Sequence, residues 1–308
     1  MGFSDWAAET ASRFRDQSPR FAAKRSGQEL LTGALRRVPG PAGDSIWERE
    51  WDVLLILDAC RWDVFSENYG DADWLETVEP ITSVGSASPE WMDKTFTTEY
   101  KDKLASTAYV TGNPYSEDHV TENQLALLDE VWRYVWDDDL GTIPPEPLTN
   151  QAVKHWRTGD YERMIVHYMQ PHWPYVTNPI EGGFNPRTVI NNEKAENAFD
   201  LQNRGEISKS DHIAAYSDNL EYIIDHIHRT LLQAITADQV AITSDHGEAF
   251  GEFGIYEHPS RVPIPVLRKV PWAITSGRDT GEYNIDDLRS DTEIGATREK
   301  KLRDLGYL

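Results

Sequence analysis

Cysteine is almost absent from this sequence, which holds only Cys60 in 308 residues. An internal disulfide is therefore excluded, and the composition fits a reducing compartment. No stretch approaches the roughly 18 consecutive apolar residues that a membrane-spanning helix needs, and the N-terminus lacks the charged and then apolar layout of a secretory signal. We therefore expect a cytoplasmic protein without a transmembrane segment.

Positive charge is also scarce, because 30 Lys and Arg residues face 52 Asp and Glu residues and leave a formal net charge of −22. Nucleic acids and anionic membranes need a basic surface, so sequence-independent binding to either is disfavoured. Hydrophobic residues still make up 39% of the chain, which is enough for a folded core. The acidic surplus, with Arg preferred over Lys, predicts a surface adapted to high intracellular salt.

The first 40 residues differ from the rest, since seven basic side chains there face four acidic ones and leave the remainder of the chain at −25. Apolar residues recur at loosely helical spacing between Trp6 and Leu35, and Val38-Pro39-Gly40 ends the pattern. We predict an amphipathic helical extension over residues 1–48, ahead of a larger domain over residues 49–308. The extension either packs against the acidic body or contacts a membrane surface or a partner protein.

From Trp51 onward, short apolar runs alternate with helix-like stretches, and such runs are typical of parallel strands that are buried on both faces. Strands are predicted over residues 53–57, 107–110, 164–166, 240–243 and 271–274. Helices are predicted over residues 125–135 and 213–231, the second capped by Ser210 or Asp211, and loops over residues 137–147 and 177–209. The alternation predicts an α/β sandwich with a mostly parallel central sheet.

Polar side chains follow three of these runs directly. Asp58 follows the first run, His167 and His172 follow the third, and Asp245 and His246 follow the fourth. Because ligands collect at the carboxyl ends of parallel strands, we expect these side chains to converge at one edge of the sheet. Carboxylates and imidazoles together are ligands for zinc and for harder divalent ions, so this edge is a predicted metal site.

The Asp-His-Gly sequence places further demands on the backbone. Asp245 and His246 can face one ion only if the chain leaves the strand sharply, and Gly247 permits that turn. Asp58 from a neighbouring strand would add a third ligand. A divalent cation held in this way polarises a phosphoryl or sulfuryl oxygen and lowers the pKa of a hydroxyl nucleophile.

The order of these motifs resembles the sulfatase-like branch of the alkaline phosphatase superfamily. Four pieces carry the resemblance over residues 51–308: Asp58, Pro171-His172-Trp173-Pro174-Tyr175, Thr243-Ser244-Asp245-His246-Gly247-Glu248 and Leu305-Gly306-Tyr307-Leu308. The Ser-Asp-His-Gly-Glu block is the most specific of them. The resemblance implies an α/β/α sandwich and a metal-dependent hydrolase or transferase of sulfate or phosphate esters, with Ca, Mn, Mg or Zn as the divalent ion.

The resemblance also implies roles for individual residues by their position in the motifs. Asp58, Asp245 and His246 would be metal ligands. His258 would be an additional ligand or a group-binding residue. His172 would contact the transferred group or the leaving oxygen as a catalytic residue.

The nucleophile departs from the sulfatase pattern, because the Cys-x-Pro-x-Arg signature that matures to formylglycine is absent. The equivalent stretch is residues 82–91, where strict register on Pro89 would put Ala87 in the place of the nucleophile. Ser88 directly precedes this proline at the expected start of a helix, whose positive end favours an alkoxide. Ser88 is therefore the preferred nucleophile, with Ser86 behind it, and helix capping is the structural alternative for Ser88.

A second difference from the sulfatase pattern concerns residues that would bind substrate. Sulfatases carry a lysine and a histidine after a glycine where this chain has Thr111-Gly112-Asn113-Pro114-Tyr115, which weakens sulfate as the substrate. Asn113, His167 and Arg61 are the predicted substrate-binding residues. Arg61 lies in a stretch similar to the first metal strand of the phosphoethanolamine transferases, where it would pair either with an anionic substrate or with Asp63.

The sequence therefore predicts a metal-dependent enzyme that acts through a serine nucleophile on a small-molecule or glycan ester of sulfate or phosphate. Two alternatives stay open. One is a catalytically degenerate protein of this fold that binds an anionic glycan or a partner, since the register of the nucleophile is irregular. The other is two-metal chemistry, for which His258, His167 and Asp218 are the candidate additional ligands.

Overall fold

The structure, a computed structural model, describes residues 19–180, 197–286 and 298–306. The strands in these ranges are β1 (Val53–Leu57), β2 (Thr77–Thr82), β3 (Thr107–Thr111), β4 (Leu127–Glu130), β5 (Arg163–Tyr168), β6 (Ala237–Thr243), β7 (Ala249–Phe250), β8 (Tyr256–Glu257) and β9 (Lys269–Gly277). The α-helices are α1 (Pro19–Leu35), α2 (Trp62–Tyr69), α3 (Ser88–Thr95), α4 (Lys101–Leu104), α5 (Ser116–His119), α6 (Pro145–Thr158), α7 (Ala198–Arg204), α8 (Lys209–His226), α9 (Pro265–Arg268) and α10 (Arg298–Asp304). Short 3₁₀ turns lie at Ile46–Glu48, Thr98–Tyr100, Glu122–Gln124, Val131–Arg133 and Glu252–Gly254, and a π turn lies at Ile227–Leu231.

The central sheet has seven strands in the order β2-β9-β6-β1-β5-β3-β4, and β7 pairs with β8 in a separate ribbon. β1 lies at the centre and pairs in parallel with β5 and β6. β9 runs antiparallel to both of its neighbours, so the predicted parallel strand over residues 271–274 has the wrong direction. The reason is that β9 starts at the sheet edge where β6 ends, and a strand that starts there must run back. The predicted mostly parallel sheet is confirmed.

The sheet separates two hydrophobic cores, because β1 is apolar on both faces and all five of its residues are buried. Val53, Leu55 and Leu57 belong to the core that also contains side chains of α6 and α8. Leu54 and Ile56 belong to the opposite core, which contains side chains of α3 and α4. The predicted α/β/α sandwich is thereby confirmed.

The predicted helix over residues 125–135 is wrong. This segment contains strand β4 and then the 3₁₀ turn at Val131–Arg133. β4 pairs in parallel with β3 at one edge of the sheet, and this pairing overrides a helical spacing of apolar residues that spans only three turns. β2, at the opposite edge, is largely exposed and contains Pro80, which explains why no apolar run marks it.

Part of the predicted loop over residues 177–209 is helical, since α7 lies within it, and residues 181–196 lie outside the described residues. The predicted long helix is confirmed as α8, but its cap is Ser208, whose side chain accepts a hydrogen bond from the backbone N–H of Asp211. The predicted loop over residues 137–147 closes on a bridge between Asp137 and Thr142 before α6 begins.

The predicted N-terminal extension is described from residue 19, where α1 begins. α1 packs against the larger domain, because Lys24 donates to the backbone carbonyl of Asn203 at 2.8 Å and Arg25 pairs with Asp200 at 3.1 Å. This contact favours the first of the two predicted roles for the extension. The boundary at residue 48 stays a prediction. In the described ranges, no helix has the length and apolar character needed to cross a bilayer.

Candidate metal centre and active site

Two neighbouring strands bring three possible metal ligands to one point. Asp58 follows β1, and Asp245 and His246 follow β6, which pairs with β1 in parallel. Asp58 Oδ1 and Asp245 Oδ2 each lie 3.4 Å from His246 Nε2, and all three side chains are fully buried. One ligand atom from each residue lies within 4.8 Å of the others. The structure thus brings the three predicted ligands together.

The backbone at these ligands adopts uncommon geometry. Ala59, directly after Asp58, has a left-handed φ of 61°. Two groups hold it, since its N–H donates to Asp245 Oδ1 at 3.2 Å and its carbonyl accepts from the Tyr216 hydroxyl at 2.8 Å. This conformation turns the chain away at Asp58 and ties the ends of β1 and β6 together.

Gly247 is required for a different reason from the one the sequence suggests. Its φ lies outside the left-handed region, so the turn itself makes no demand on glycine. A Cβ at this position would lie only 2.1 Å from the carbonyl oxygen of Val266, and the Gly247 N–H donates to the carbonyl of Leu267 at 2.9 Å. Glycine is therefore needed for the close approach of two backbones beside His246.

Asn113 and His167 lie beside the two carboxylates. Both are fully buried. Asn113 Nδ2 donates to Asp58 Oδ2 at 2.9 Å. His167 Nε2 lies 3.6 Å from Asp245 Oδ2, and its Nδ1 lies 2.9 Å from the Tyr109 hydroxyl. Both side chains are thus placed to orient the carboxylates, and their contact with substrate stays a prediction.

Arg61 and Asp218 also lie elsewhere than a substrate or metal site requires. The Arg61 guanidinium forms ion pairs with Asp63 and, at 2.8 Å, with Glu252. Of the two predicted partners of Arg61, an anionic substrate and Asp63, the structure shows the pairing with Asp63. Asp218 lies on the exposed side of α8 and accepts a hydrogen bond from Asn178 at 2.8 Å. It is therefore separate from the metal ligands.

The charge of Asp245 makes a cation at this site chemically reasonable. Burial by itself raises the pKa of Asp245, but His246 and then His167 hold that pKa below its ordinary value. Within the described ranges its ion-pair partners are these two histidines, and burial lowers the pKa of His167 to about 4. A fully buried carboxylate that lacks a permanent cation as partner is costly unless a metal ion compensates it. Two carboxylates and one imidazole are a suitable donor set for a divalent ion.

Ser88 is the first residue of α3 and lies at this centre. It is fully buried, and its Oγ lies 3.2 Å from His246 Nε2. Ala87 before it is extended, and Pro89 occupies the first turn of the helix. The hydroxyl therefore lies at the positive end of α3 and beside the metal ligands, where both features favour an alkoxide.

Ser86, the second predicted nucleophile, is engaged in holding a loop. Its Oγ lies 3.0 Å from both Glu90 Oε2 and the carbonyl of Pro259, and it accepts the N–H of Val262 at 3.1 Å. These bonds attach the start of α3 to the segment that follows His258. The structure thus corrects the role of Ser86 to a structural one.

A second cluster of His172, Glu248 and His258 lies beside the first. The Nε2 atoms of His172 and His258 are 2.9 Å apart, and the rings of His246 and His258 have centroids 4.4 Å apart. Burial lowers the pKa of His172 to about 4 and also lowers the pKa of His258. Both imidazoles are therefore neutral at pH 7. His258, predicted as an additional metal ligand or a group-binding residue, lies with His172 and Glu248 in this second cluster.

Glu248 is the site residue that the sequence reasoning missed. It is buried, burial raises its pKa, and its Oε2 makes no hydrogen bond within the described ranges. Its place in the Ser-Asp-His-Gly-Glu block was the available signal. A cavity of about 250 Å³ opens over this second cluster, with Ala87, His172 and His258 in its wall. This cavity opens the site to the surface on the side of the two histidines.

Known proteins resemble this chain in fold. No family model matches the sequence, and no curated protein matches it. The structure is similar to the soluble domain of lipooligosaccharide phosphoethanolamine transferase A from Neisseria meningitidis, with a TM-score of 0.51, 14% identity and coverage of 77% of this chain and 79% of that chain. For the integral membrane form of that transferase the TM-score is 0.53 at 15% identity, over 98% of this chain and 64% of that chain, so this chain spans about two thirds of its length.

A putative sulfatase from Bacteroides thetaiotaomicron is also similar, with a TM-score of 0.47 at 10% identity, over 73% of this chain and 64% of that chain. The similarity to the phosphoethanolamine transferase domain, at a TM-score of 0.51, is a similarity of fold. The α/β/α sandwich of this chain is therefore the alkaline-phosphatase-like fold that its motifs predict.

Proposed function

We propose that this protein is a metal-dependent hydrolase or transferase of phosphate or sulfate esters with Ser88 as its nucleophile. The observation that supports this most directly is the 3.2 Å distance from Ser88 Oγ to His246 Nε2, within a buried group of two carboxylates and an imidazole. A divalent ion bound by Asp58, Asp245 and His246 would polarise the ester oxygen and lower the pKa of the serine hydroxyl.

The chain's own residues supply the remaining steps. Ser88 Oγ attacks the phosphorus or sulfur atom, the bond to the leaving alcohol breaks, and the covalent ester of Ser88 forms. The backbone N–H groups at the start of α3 stabilise the serine alkoxide. His172 and His258 contact the transferred group and the leaving oxygen from the cavity side as neutral imidazoles. The proton that Ser88 loses passes to solvent, and the leaving oxygen takes up a proton from solvent. Water or an acceptor alcohol then attacks the serine ester and regenerates Ser88.

Phosphate is the preferred ester. The sulfatase lysine and histidine are missing around Asn113, and the phosphoethanolamine transferases are similar in fold. Two-metal chemistry is the second candidate, and the cluster of His172, Glu248 and His258 favours it because its donor atoms also lie within 4.8 Å of one another. A small-molecule or glycan ester, a cytoplasmic location and a salt-adapted surface stay predictions.

The first experiment measures bound metal in protein purified at high salt, for wild type, Asp245→Asn and the matched control Asp218→Asn. Wild type and the control are expected to carry one divalent ion per chain, and Asp245→Asn none. Two ions per chain would assign the second cluster to a metal. A wild type that carries no ion and gains none on addition of Mg, Ca, Mn or Zn would refute the proposal.

The second experiment measures turnover of bis(p-nitrophenyl) phosphate, p-nitrophenyl phosphate and p-nitrocatechol sulfate by the metal-loaded protein. Cleavage of at least one ester is expected, with Asp245→Asn inactive. A wild type that binds metal but cleaves none of them would favour the alternative of an anionic-glycan binder.

A further inference from the structure

A larger cavity of about 690 Å³ adjoins the one over the histidines, between α1 and the segments around α7 and β8. The two cavities share five wall residues: Arg36, Phe199, Tyr256, Glu257 and Pro259. They therefore adjoin along a common wall. With the reacting group beside His172 and His258, the larger cavity is the neighbouring space for the rest of the ester.

The larger cavity is lined by Arg25, Arg36, Arg37 and Arg261, and we refer to it as the arginine cavity. Arg25 is neutralised by Asp200 at 3.1 Å. The other three have no carboxylate partner within the described ranges. Arg36 donates from Nε to the carbonyl of Ser260 at 3.1 Å, which leaves its terminal nitrogens available. The protein has 52 acidic and 30 basic residues, so a group of guanidinium side chains without carboxylate partners contrasts with its negative net charge.

The same wall carries three carboxylates, those of Glu29, Asp200 and Glu257, against the four guanidinium groups. Asp200 is paired with Arg25 at 3.1 Å. Glu257 accepts a hydrogen bond from the neutral amide of Asn197 at 2.6 Å and keeps its negative charge. The formal charge of the lining is therefore +1, which leaves a small positive surplus for an anionic ligand.

The backbone that carries Arg261 is held in a strained form. Four non-glycine residues in the described ranges have positive φ. Three lie near this cavity, namely Phe253 at 54°, Glu257 at 60° and Arg261 at 63°. The fourth is Ala59, beside the predicted metal ligands. The Arg261 N–H donates to Glu90 Oε2 at 2.9 Å, and Glu90 lies on the helix that begins with Ser88. Strain of this kind is maintained where ligands bind, and this bond fixes Arg261 relative to the nucleophile.

We propose that the arginine cavity binds a second anionic group of the substrate. The natural substrate is then an organic ester whose alcohol portion carries a phosphate, sulfate or carboxylate in addition to the reacting ester. Arginine suits this role because its planar fork binds such oxyanions in a bidentate manner. Leu30, Phe199 and Tyr256 supply apolar surface for the carbon skeleton between the two groups. This inference rests on the proposed function only for the position of the reacting group.

The test is calorimetric titration of the full chain with fructose 1,6-bisphosphate and fructose 6-phosphate, as purified and again after chelation of metal. We expect the bisphosphate to bind about tenfold more tightly, as one charge-assisted contact predicts. Arg36→Gln and Arg261→Gln each remove most of this difference, also after chelation. Arg229→Gln is the matched control, since Arg229 is exposed and pairs with Asp225 on α8. Thermal unfolding verifies that each variant is folded, and Arg37→Gln replaces one that is not.

Two results would overturn the inference: equal affinity for the two sugar phosphates, or an unchanged difference in the arginine variants. The titration of chelated protein measures anion binding in the arginine cavity without metal. A failure of the proposed metal-dependent function can therefore be distinguished from a failure of the arginine cavity to bind an anion. A further readout uses turnover of bis(p-nitrophenyl) phosphate. The bisphosphate is expected to raise KM at unchanged kcat, because on this proposal it occupies the same two adjoining cavities as the ester. Inhibition that lowers kcat at unchanged KM would instead assign the arginine cavity to a separate regulator.

Discussion

Removal of one hydroxyl, in Ser88→Ala, separates the chemical role of Ser88 from a capping role. The substitution leaves Asp58, Asp245 and His246 in place and deletes the Oγ that lies 3.2 Å from His246 Nε2. Alanine is tolerated at the start of α3, because Pro89 already sets the first turn and the Ser88 hydroxyl is directed to His246. The variant is therefore expected to fold and to bind metal.

The two expected effects differ in size. Loss of one buried hydrogen bond costs about 0.5 to 1.5 kcal/mol of unfolding free energy, which is a small part of the roughly 5 to 15 kcal/mol of a typical domain. Loss of the nucleophile lowers kcat/KM at least about a thousandfold, which corresponds to about 4 kcal/mol of activation free energy. If Ser88 is the nucleophile, the loss of activity is much larger than the loss of stability. If Ser88 only caps the helix, the substitution lowers stability without such a loss of activity.

The assay combines kcat/KM on the best ester, metal content and thermal unfolding. Ser86→Ala is the matched control, since it removes an equal hydroxyl two residues away. It is expected to lose about 1 to 3 kcal/mol of stability, because the N–H of Val262 loses its acceptor, while turnover and bound metal are retained. Turnover of Ser88→Ala within tenfold of wild type would refute Ser88 as the nucleophile. Equal loss of turnover in both variants would refute the distinction between the serines.

Two further predictions concern buried titratable groups. Lys301 donates to the carbonyl of Trp132 at 2.7 Å, and burial lowers its pKa to about 8, so the unfolded chain binds more protons above pH 8 and stability rises with pH there. Lys301→Met is expected to add about 1 to 2 kcal/mol at pH 7 and to remove that rise in denaturant unfolding at pH 7 and 9.5. Burial lowers the pKa of His212 to about 3, so below pH 6.5 the unfolded chain binds more protons and stability decreases as the pH falls. His212→Gln is expected to remove about 2 kcal/mol of the loss between pH 6.5 and 5, and an unchanged slope would contradict this assignment.

The central part of the fold follows from the sequence because its strands are buried on both faces. β1, β3, β5 and β6 each contain a run of at least three buried apolar residues, a pattern typical of strands that are covered on both faces. The edge strands β2 and β4 are different, since solvent covers much of their surface and their conformation depends on the neighbour they pair with. Propensity along the chain contains no information about that neighbour.

The metal ligands follow from the sequence for a topological reason, and their supporting residues do not. Asp58 and Asp245 follow parallel strands, so their meeting requires only that the strands are neighbours. Whether Asn113 or His167 faces substrate or supports a ligand depends on the direction of single side chains. That direction is set by local backbone such as the left-handed Ala59, whose conformation depends on bonds from Asp245 and Tyr216, distant in the chain.

Between an acidic protein and an anionic ester, the electrostatic interaction at long range differs from the interaction in direct contact. The net charge of −22 repels an anion in dilute salt, but the screening length falls to roughly 3 Å at molar ionic strength. At such salt concentrations only groups in contact with the ligand act on it. The predicted metal ligands Asp58, Asp245 and His246 are fully buried, whereas Arg36, Arg37 and Arg261 line the arginine cavity while they are exposed to solvent. High salt thus removes the repulsion of the surface and leaves the buried contacts largely intact, while the contacts of the exposed arginines weaken as salt rises.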